Sequence, residues 1–349
     1  MTALDRDGSP GDAVLHGGDD PTVSILDLAI IGRDETAADA FTASVALAQL
    51  AERRGYHRVW YAEHHNMASI ASAAPSVLIA HVAAHTSTIR LGAGGVMLPN
   101  HSPLTIAEQF GTLATLHPDR IDLGLGRAPG SDQTRLRPTR VYPYASDRFP
   151  NDGLELQGYL RDDSRVAGVT AVPGAGTDVP LYILGSSTFG AQLAAQLGLP
   201  YAFASHFAPA WLLEAVALYR RQFQPSDQLA EPYVIAGVNV IASHDEGDAL
   251  RQQRDVMRRR IGRFLRPPRD LSDDEADELL GTMQGRQIAQ MMHYTAAGDA
   301  ELVARYLRNF AVEAGVDEVM TVHPSPTVDE RLRSIELLAD VMATTPATV

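Results

Sequence analysis

This chain predicts a single closed (β/α)8 TIM barrel with an irregular insertion between its seventh and eighth strands. Three observations lead there. Strand-like runs and helix-like segments alternate eight times, the mark of parallel β/α units. The strands are near-continuous apolar runs, as expected where helices cover one face and packed side chains fill the other. A length of 349 residues fits one large barrel, a fold that routinely exceeds ordinary domain size.

In chain order, "SILDLAII" (24–31) is the first strand, and the Ala-rich amphipathic segment 35–54 is a helix stopped by Gly55. "HRVWYAE" (57–63) is the second strand, followed by the helix "SAAPSVLIAHVAAHTS". "IRLGAGGVML" (89–98) is the third, and Pro103 opens the next helix, since proline fits a first turn. "RIDLGLG" (120–126) is the fourth, with a helix within 145–161 and a Gly/Pro/Asp loop over 162–179. "PLYILGS" (180–186) and "PYAFASH" (200–206) are the fifth and sixth, each followed by a helix, over 187–197 and 209–223. "YVIAGVNVIA" (233–242) is the seventh, with a helix over 245–262. The charge-rich stretch around 263–298 then interrupts the pattern and could close as a lid. Helix 299–314, "DEVMTVH" (317–323) as the eighth strand and helix 327–343 complete it. Residues 1–22, acidic and rich in Gly and Asp, read as a mobile extension of a barrel domain spanning 23–349.

Composition narrows the chemistry. A formal charge of −14 disfavours nonspecific binding to nucleic acid or anionic membrane. No apolar run is long enough for a transmembrane helix, and no secretory signal pattern precedes the barrel, so the expectation is cytoplasmic. The chain has no Cys, which removes thiolate nucleophiles, disulfides and Cys-ligated metals. All 29 basic residues are Arg, so lysine Schiff bases and a P-loop lysine are excluded too.

Barrels of this kind carry their sites at the C-terminal ends of the strands. Here those ends hold Glu63-His64-His65, Gly94-Gly95 with Pro99-Asn100-His101, Arg127, Gly185-Ser186-Ser187, Ser205-His206 and His323. Five of the 12 histidines therefore fall on one rim. "GLGRAPG" (124–130) lacks the spacing of a dinucleotide-binding loop. As a strand mouth it offers Arg127 to a phosphate, the alternative being a solvated arginine. "ILGSSTFG" (183–190) puts Ser186 and Ser187 at a helix start, as an anion site or simply as an N-cap. Neighbouring His64 and His65 point to opposite faces of a strand, and no His-Glu-x-x-His motif occurs, so no metal is expected. Ala93-Gly94-Gly95 weakens a strand unless a flat group lies against its backbone.

Together, "GYHRVWYAEHHNM", "IRLGAGGVMLPNHSPLTIAEQFGTLATLHPDRIDLGLGRAPGSD" and "PLYILGSSTFGAQLAAQLGLPYAFASHFAP" resemble the bacterial luciferase-like flavin monooxygenases, from about Ser24 to Met342. The resemblance implies reduced FMN at the strand C-termini, supplied by a separate NAD(P)H:flavin reductase. It implies reaction with O2 through a flavin hydroperoxide that oxygenates a small organic substrate. His64 matches the active-site histidine, and an ordinary pKa near 6.5 would suit proton handling at neutral pH. Gly94-Gly95 matches a non-prolyl cis peptide against the flavin ring. Arg127, Ser186 and Ser187 match phosphate-holding positions, with Asn100 and Gly185 taken as further cofactor contacts. A homodimer is expected, mainly from the family. The family's reactive cysteine near the flavin is missing, so light emission is not expected. The rival readings are a deazaflavin-dependent hydride-transfer enzyme and a non-catalytic flavin-binding protein.

Overall fold

The computed structural model describes residues 20–32, 34–128, 145–265 and 269–342. The expected mobile extension therefore lies almost wholly outside the described residues. Of it, Asp20 pairs with Arg308 and Thr22 already begins the first strand.

Eight parallel strands close the expected barrel: β1 (Thr22–Asp27), β2 (Arg58–Tyr61), β3 (Arg90–Met97), β4 (Ile121–Gly126), β5 (Leu181–Gly185), β6 (Tyr201–Phe203), β7 (Val234–Ala242) and β9 (Glu318–Val322). Closure comes from pairing of β6 with β7, β7 with β9, and β9 with β1. The outer ring consists of α1 (Ala37–Arg54), α2 (Pro75–Ala83), α3 (Pro103–Leu116), α4 (Phe149–Leu160), α5 (Thr188–Leu197), α6 (Leu212–Gln222), α10 (Ala300–Ala314) and α11 (Val328–Val341). Helix ends follow local chemistry. Thr36 and Asp39 form a capping box on α1, and Gly55 ends that helix in the left-handed conformation.

Side-chain alternation divides the apolar residues into two cores. Val59 and Tyr61 of β2 face the helices, while Trp60 and Ala62 face inward with Leu26, Tyr182, Ala202, Ile235 and Met320. At the N-terminal floor of the barrel the filling is charged. Arg58 Nη1 donates to Asp122 Oδ2 (2.8 Å) and to the Tyr182 hydroxyl (2.6 Å), and Arg58 Nε lies 3.1 Å from Glu318 Oε1. Trp60 and Arg90 also donate to Asp122, and Tyr233 donates to Glu318. Arg58, Asp122 and Glu318 are all buried, so each charge depends on the others for compensation.

The excursion between the seventh and eighth barrel strands is present, and it is more regular and longer than the pattern suggested. It runs from Ser243 to Gly298 and contains α7 (Glu246–Phe264), α8 (Asp273–Leu280), α9 (Met283–Gln290) and a short strand, β8 (Thr295–Gly298). β8 pairs with the upper half of β7, on the edge that β6 leaves open beyond Ala236. α7 matches the strand–helix alternation but is not a ring helix. It packs on β8, α8 and α9, and α10 is the helix that returns along the barrel from β7 to β9. Arg251 of α7 holds Glu330 in the first turn of α11 (2.6 Å), and Arg259 donates to Pro326 O (3.3 Å). These contacts lay α7 across the C-terminal end of the barrel. Arg258 fastens α8 to it through Asp273 (2.7 Å) and Asp277 (2.8 Å).

Candidate active site at the barrel mouth

The inward register of β2 runs through Trp60 and Ala62, and it continues past the strand to His64. Ala62 N donates to Asp27 O (3.3 Å) and His64 N to Ser72 O (2.9 Å), which keeps the segment extended above the strand end. Glu63 and His65 take the other side. Glu63 is fully buried and gathers that side together. His65 Nε2 lies 2.7 Å from Glu63 Oε1 and His101 Nε2 2.9 Å from the same oxygen. Met97 N donates to Glu63 Oε2 (2.9 Å), and Asn100 Nδ2 approaches Oε1 at 3.4 Å. Burial alone would raise the Glu63 carboxyl, but the bonds from His101, His65 and Met97 N bring it below the usual carboxylate range. Glu63 thus locks the turn after β3 to the end of β2 instead of orienting His64.

His64 keeps a buried Nδ1 with no hydrogen-bond partner among the described residues. Burial, and then the neighbouring His65, lower its pKa against a smaller opposing effect of Glu63. The expectation of an ordinary value near 6.5 is therefore corrected: His64 is a neutral imidazole at neutral pH. His206, at the end of β6, feels the charge of His64, and its own buried Nδ1 is also unpartnered among the described residues. Burial, then Arg260, then His64 hold His206 down to about 3. Room for its ring exists because β7 has Gly237 beneath it, where a Cβ would collide with Nδ1. Asn239 Nδ2 donates to His206 O (2.7 Å) and fixes the turn.

Gly94-Gly95 is a cis peptide, as the resemblance implied. A Cβ on Gly94 would come within 2.9 Å of Leu26 Cδ1 and Trp60 Cβ, so this residue belongs to the inner wall. A Cβ on Gly95 would lie 2.7 Å from Gly124 O, so the neighbouring residue faces β4. Leu26, Trp60 and the β4 backbone thus pack closely against this stretch of β3, where the register with β4 shifts.

Across the mouth, Arg127 follows β4 and its guanidinium carbon stands 4.0 Å from the centroid of Phe189, in the first turn of α5. Ser187 occupies the N-cap position without a side-chain capping bond, so the N-cap alternative does not account for its hydroxyl. The structure brings Arg127, Gly185, Ser186 and Ser187 to the positive end of one helix. Asn100 belongs instead to the Glu63 group. His323 turns away from the mouth: it is buried between Ser334 Oγ (2.8 Å) and Thr321 Oγ1 (3.1 Å) and is held down to about 3 by burial. Two participants escaped the sequence reading. His206 was visible on the rim without a role, and Arg260 of α7 had no signal, because its helix read as part of the outer ring.

Comparison with known proteins adds a separate line of support. The luciferase-like monooxygenase family model matches residues 22–318. The chain is similar to a luciferase-like monooxygenase of Escherichia coli (strain K12), 46% identical over 323 residues that cover 91% of this chain and 96% of the other. It is also similar to the N-acetyl-S-alkylcysteine monooxygenase of Bacillus subtilis (strain 168), 34% identical over 331 residues, with 92% and 98% covered. Among solved structures it superposes on apo-MsnO8 with a TM-score of 0.84 at 34% identity, covering 94% and 99% of the two chains. No helix among the described residues is long and apolar enough to cross a membrane.

Proposed function

The chain belongs to the luciferase-like monooxygenase family, and from that premise we propose that it is an FMN-dependent monooxygenase acting on a small organic substrate with O2. The observation that carries the reading is the cis Gly94-Gly95 peptide in β3, at the inner wall of the barrel. A side chain at either position would collide with Leu26, Trp60 or the β4 backbone, so any flat ring held here would meet bare backbone. At the other side of the mouth, Arg127 and the uncapped start of α5 suit a phosphate, with Gly185 allowing close backbone approach. The residues present therefore fit FMN. Asn100 would contribute through the Glu63 group that shapes the turn after β3.

Bound reduced FMN would supply two electrons, so that one atom of O2 enters the substrate and the other leaves as water. The chain's own residues bind, orient and exclude water. His64, neutral and with its Nδ1 unengaged, is set to accept or return a proton at that nitrogen. The excursion Ser243–Gly298, lying across the mouth, would shield the site. A separate NAD(P)H:flavin reductase, a homodimeric assembly and a cytoplasmic setting complete the proposal.

The test combines FMN titration by fluorescence quenching with uptake of labelled oxygen into product when reduced FMN is supplied. His64→Ala should lower product formation by roughly 10²- to 10⁴-fold with FMN affinity little changed. Arg127→Ala should do the reverse, weakening FMN binding first. Tight binding of a deazaflavin without oxygen uptake would overturn the proposal in favour of hydride transfer. FMN binding without turnover in either form would point to a carrier protein.

A further inference from the structure

Two arginines of α7 show how this chain ordinarily treats a guanidinium. Arg251 holds Asp248, Asp255 and Glu330, and Arg258 holds Asp273 and Asp277. Arg260 differs from both. It is half-buried, its Nε is shut off from water without a hydrogen-bond partner, and it has no acidic partner among the described residues. Its one contact of note is stacking, with its guanidinium carbon 5.4 Å from the Phe264 ring centroid. The neighbouring charges make the position worse for a cation: Arg263 lies close on the same helix, with Arg259 beside it in turn. The charge of Arg260 also acts on His206, whose imidazole burial holds in the neutral form, and His206 in turn feels His64.

A cation withdrawn from water and given no counter-charge costs free energy that a bound anion would recover. Burial, and then Arg263, lower the Arg260 pKa only to about 10, so it stays charged at neutral pH. Phe264 lies within cation–π reach of the guanidinium, whose planar fork suits a group with two or three oxygens. Arg127 and the start of α5 follow β4 and β5, whereas Arg260 belongs to α7 of the excursion, and its charge acts on His206, which follows β6.

We propose that Arg260 anchors an oxyanionic head group of the substrate, a carboxylate or a sulfonate, at the barrel mouth beside His206. This assignment rests on reading the mouth as the oxygenation site, and it names the substrate class for that site. The remainder of the substrate then extends past His206 towards His64, the order the proposed oxygenation requires. A helix of the excursion, not a barrel strand, supplies the head-group contact, so arrival of the anion and settling of the excursion would be coupled.

The experiment is calorimetric titration of the full chain, with and without FMN. The probes are a series of n-alkanoates and n-alkanesulfonates against n-alkanamides of equal length. The anions should bind the wild type roughly ten- to a hundredfold more tightly than the amides. Arg260→Gln should abolish that preference without lowering the melting temperature or the FMN affinity, and Arg260→Lys should retain part of it. Equal binding of amides and anions, a preference that survives Arg260→Gln, or no saturable anion binding would each overturn the assignment. Loss of FMN affinity in Arg260→Gln would overturn it too, by giving the guanidinium to the cofactor phosphate. Failure of the wild type to bind FMN would sink the oxygenase reading, while the titrations without FMN would still judge Arg260.

Discussion

The floor and the mouth of this barrel each contain a guanidinium largely withdrawn from water, and the two are treated in opposite ways. At the floor, Arg58 is ringed by Asp122, Glu318 and the Tyr182 hydroxyl, so its charge is met by two carboxylates even though its Nε makes no hydrogen bond of its own among the described residues. At the mouth, Arg260, His206 and His64 each present a buried nitrogen without a partner among the described residues. The floor charges are mutually compensated, as befits residues that only hold the barrel together. On the function proposed above, a bound ligand would complete the mouth groups.

The contrast can be broken from the floor first. Arg58→Met should destabilise the protein by about 3–5 kcal/mol, because Asp122 and Glu318 would be left buried and uncompensated. Urea unfolding measures this, and a loss below about 1 kcal/mol would show the floor charges to be far better solvated than their burial implies. Next in size, Gly237→Ala should cost about 1–3 kcal/mol, since the added methyl collides with His206. It should also depress turnover by displacing that ring. Unchanged turnover with a displaced ring would remove His206 from the site.

Acid provides a finer probe. His206 and His323 are both held to about 3 in the folded protein, against about 6.5 in an unfolded chain. Between those values the unfolded state binds more protons. Stability should therefore be fully present above pH 6.5 and fall as pH drops towards 3, by at most about 1.4 kcal/mol per pH unit for each group. Melting temperatures across this range should fall less steeply in His323→Asn, which can still meet Ser334. The smallest effect belongs at the mouth: Arg260→Gln should leave stability unchanged or slightly raised, the reverse of Arg58→Met. A large loss there would make Arg260 structural.

How much of this was legible varies from residue to residue. The eight barrel strands were, because parallel strands covered on both faces leave long apolar runs such as 89–98 and 233–242. Gly55 as a helix stop and Gly94-Gly95 as an unusual stretch of strand were visible for the same local reason: glycine is chosen where backbone conformation or close approach demands it. The division of labour among the rim histidines was not legible. His65 and His101 both serve Glu63, and His323 serves Ser334. Those pairings join segments far apart in the chain, and no spacing encodes them. The role of α7 was misread because its helix periodicity is the same whether it packs on a strand or on other helices of an excursion.

The sequence by itself determined the fold class and the exclusion of cysteine and lysine chemistry, and it pointed to the rim as the candidate site. All three depend on composition and on periodicities that local sterics impose. Only the tertiary structure decided which charges are paired. It set Arg58 among acids and gave Arg260 none among the described residues, and it turned His64 inward while sending Glu63 to the turn after β3. The physical reason is that a side chain's protonation and freedom are set by desolvation and by neighbours brought from elsewhere in the chain, and neither exists until the barrel closes.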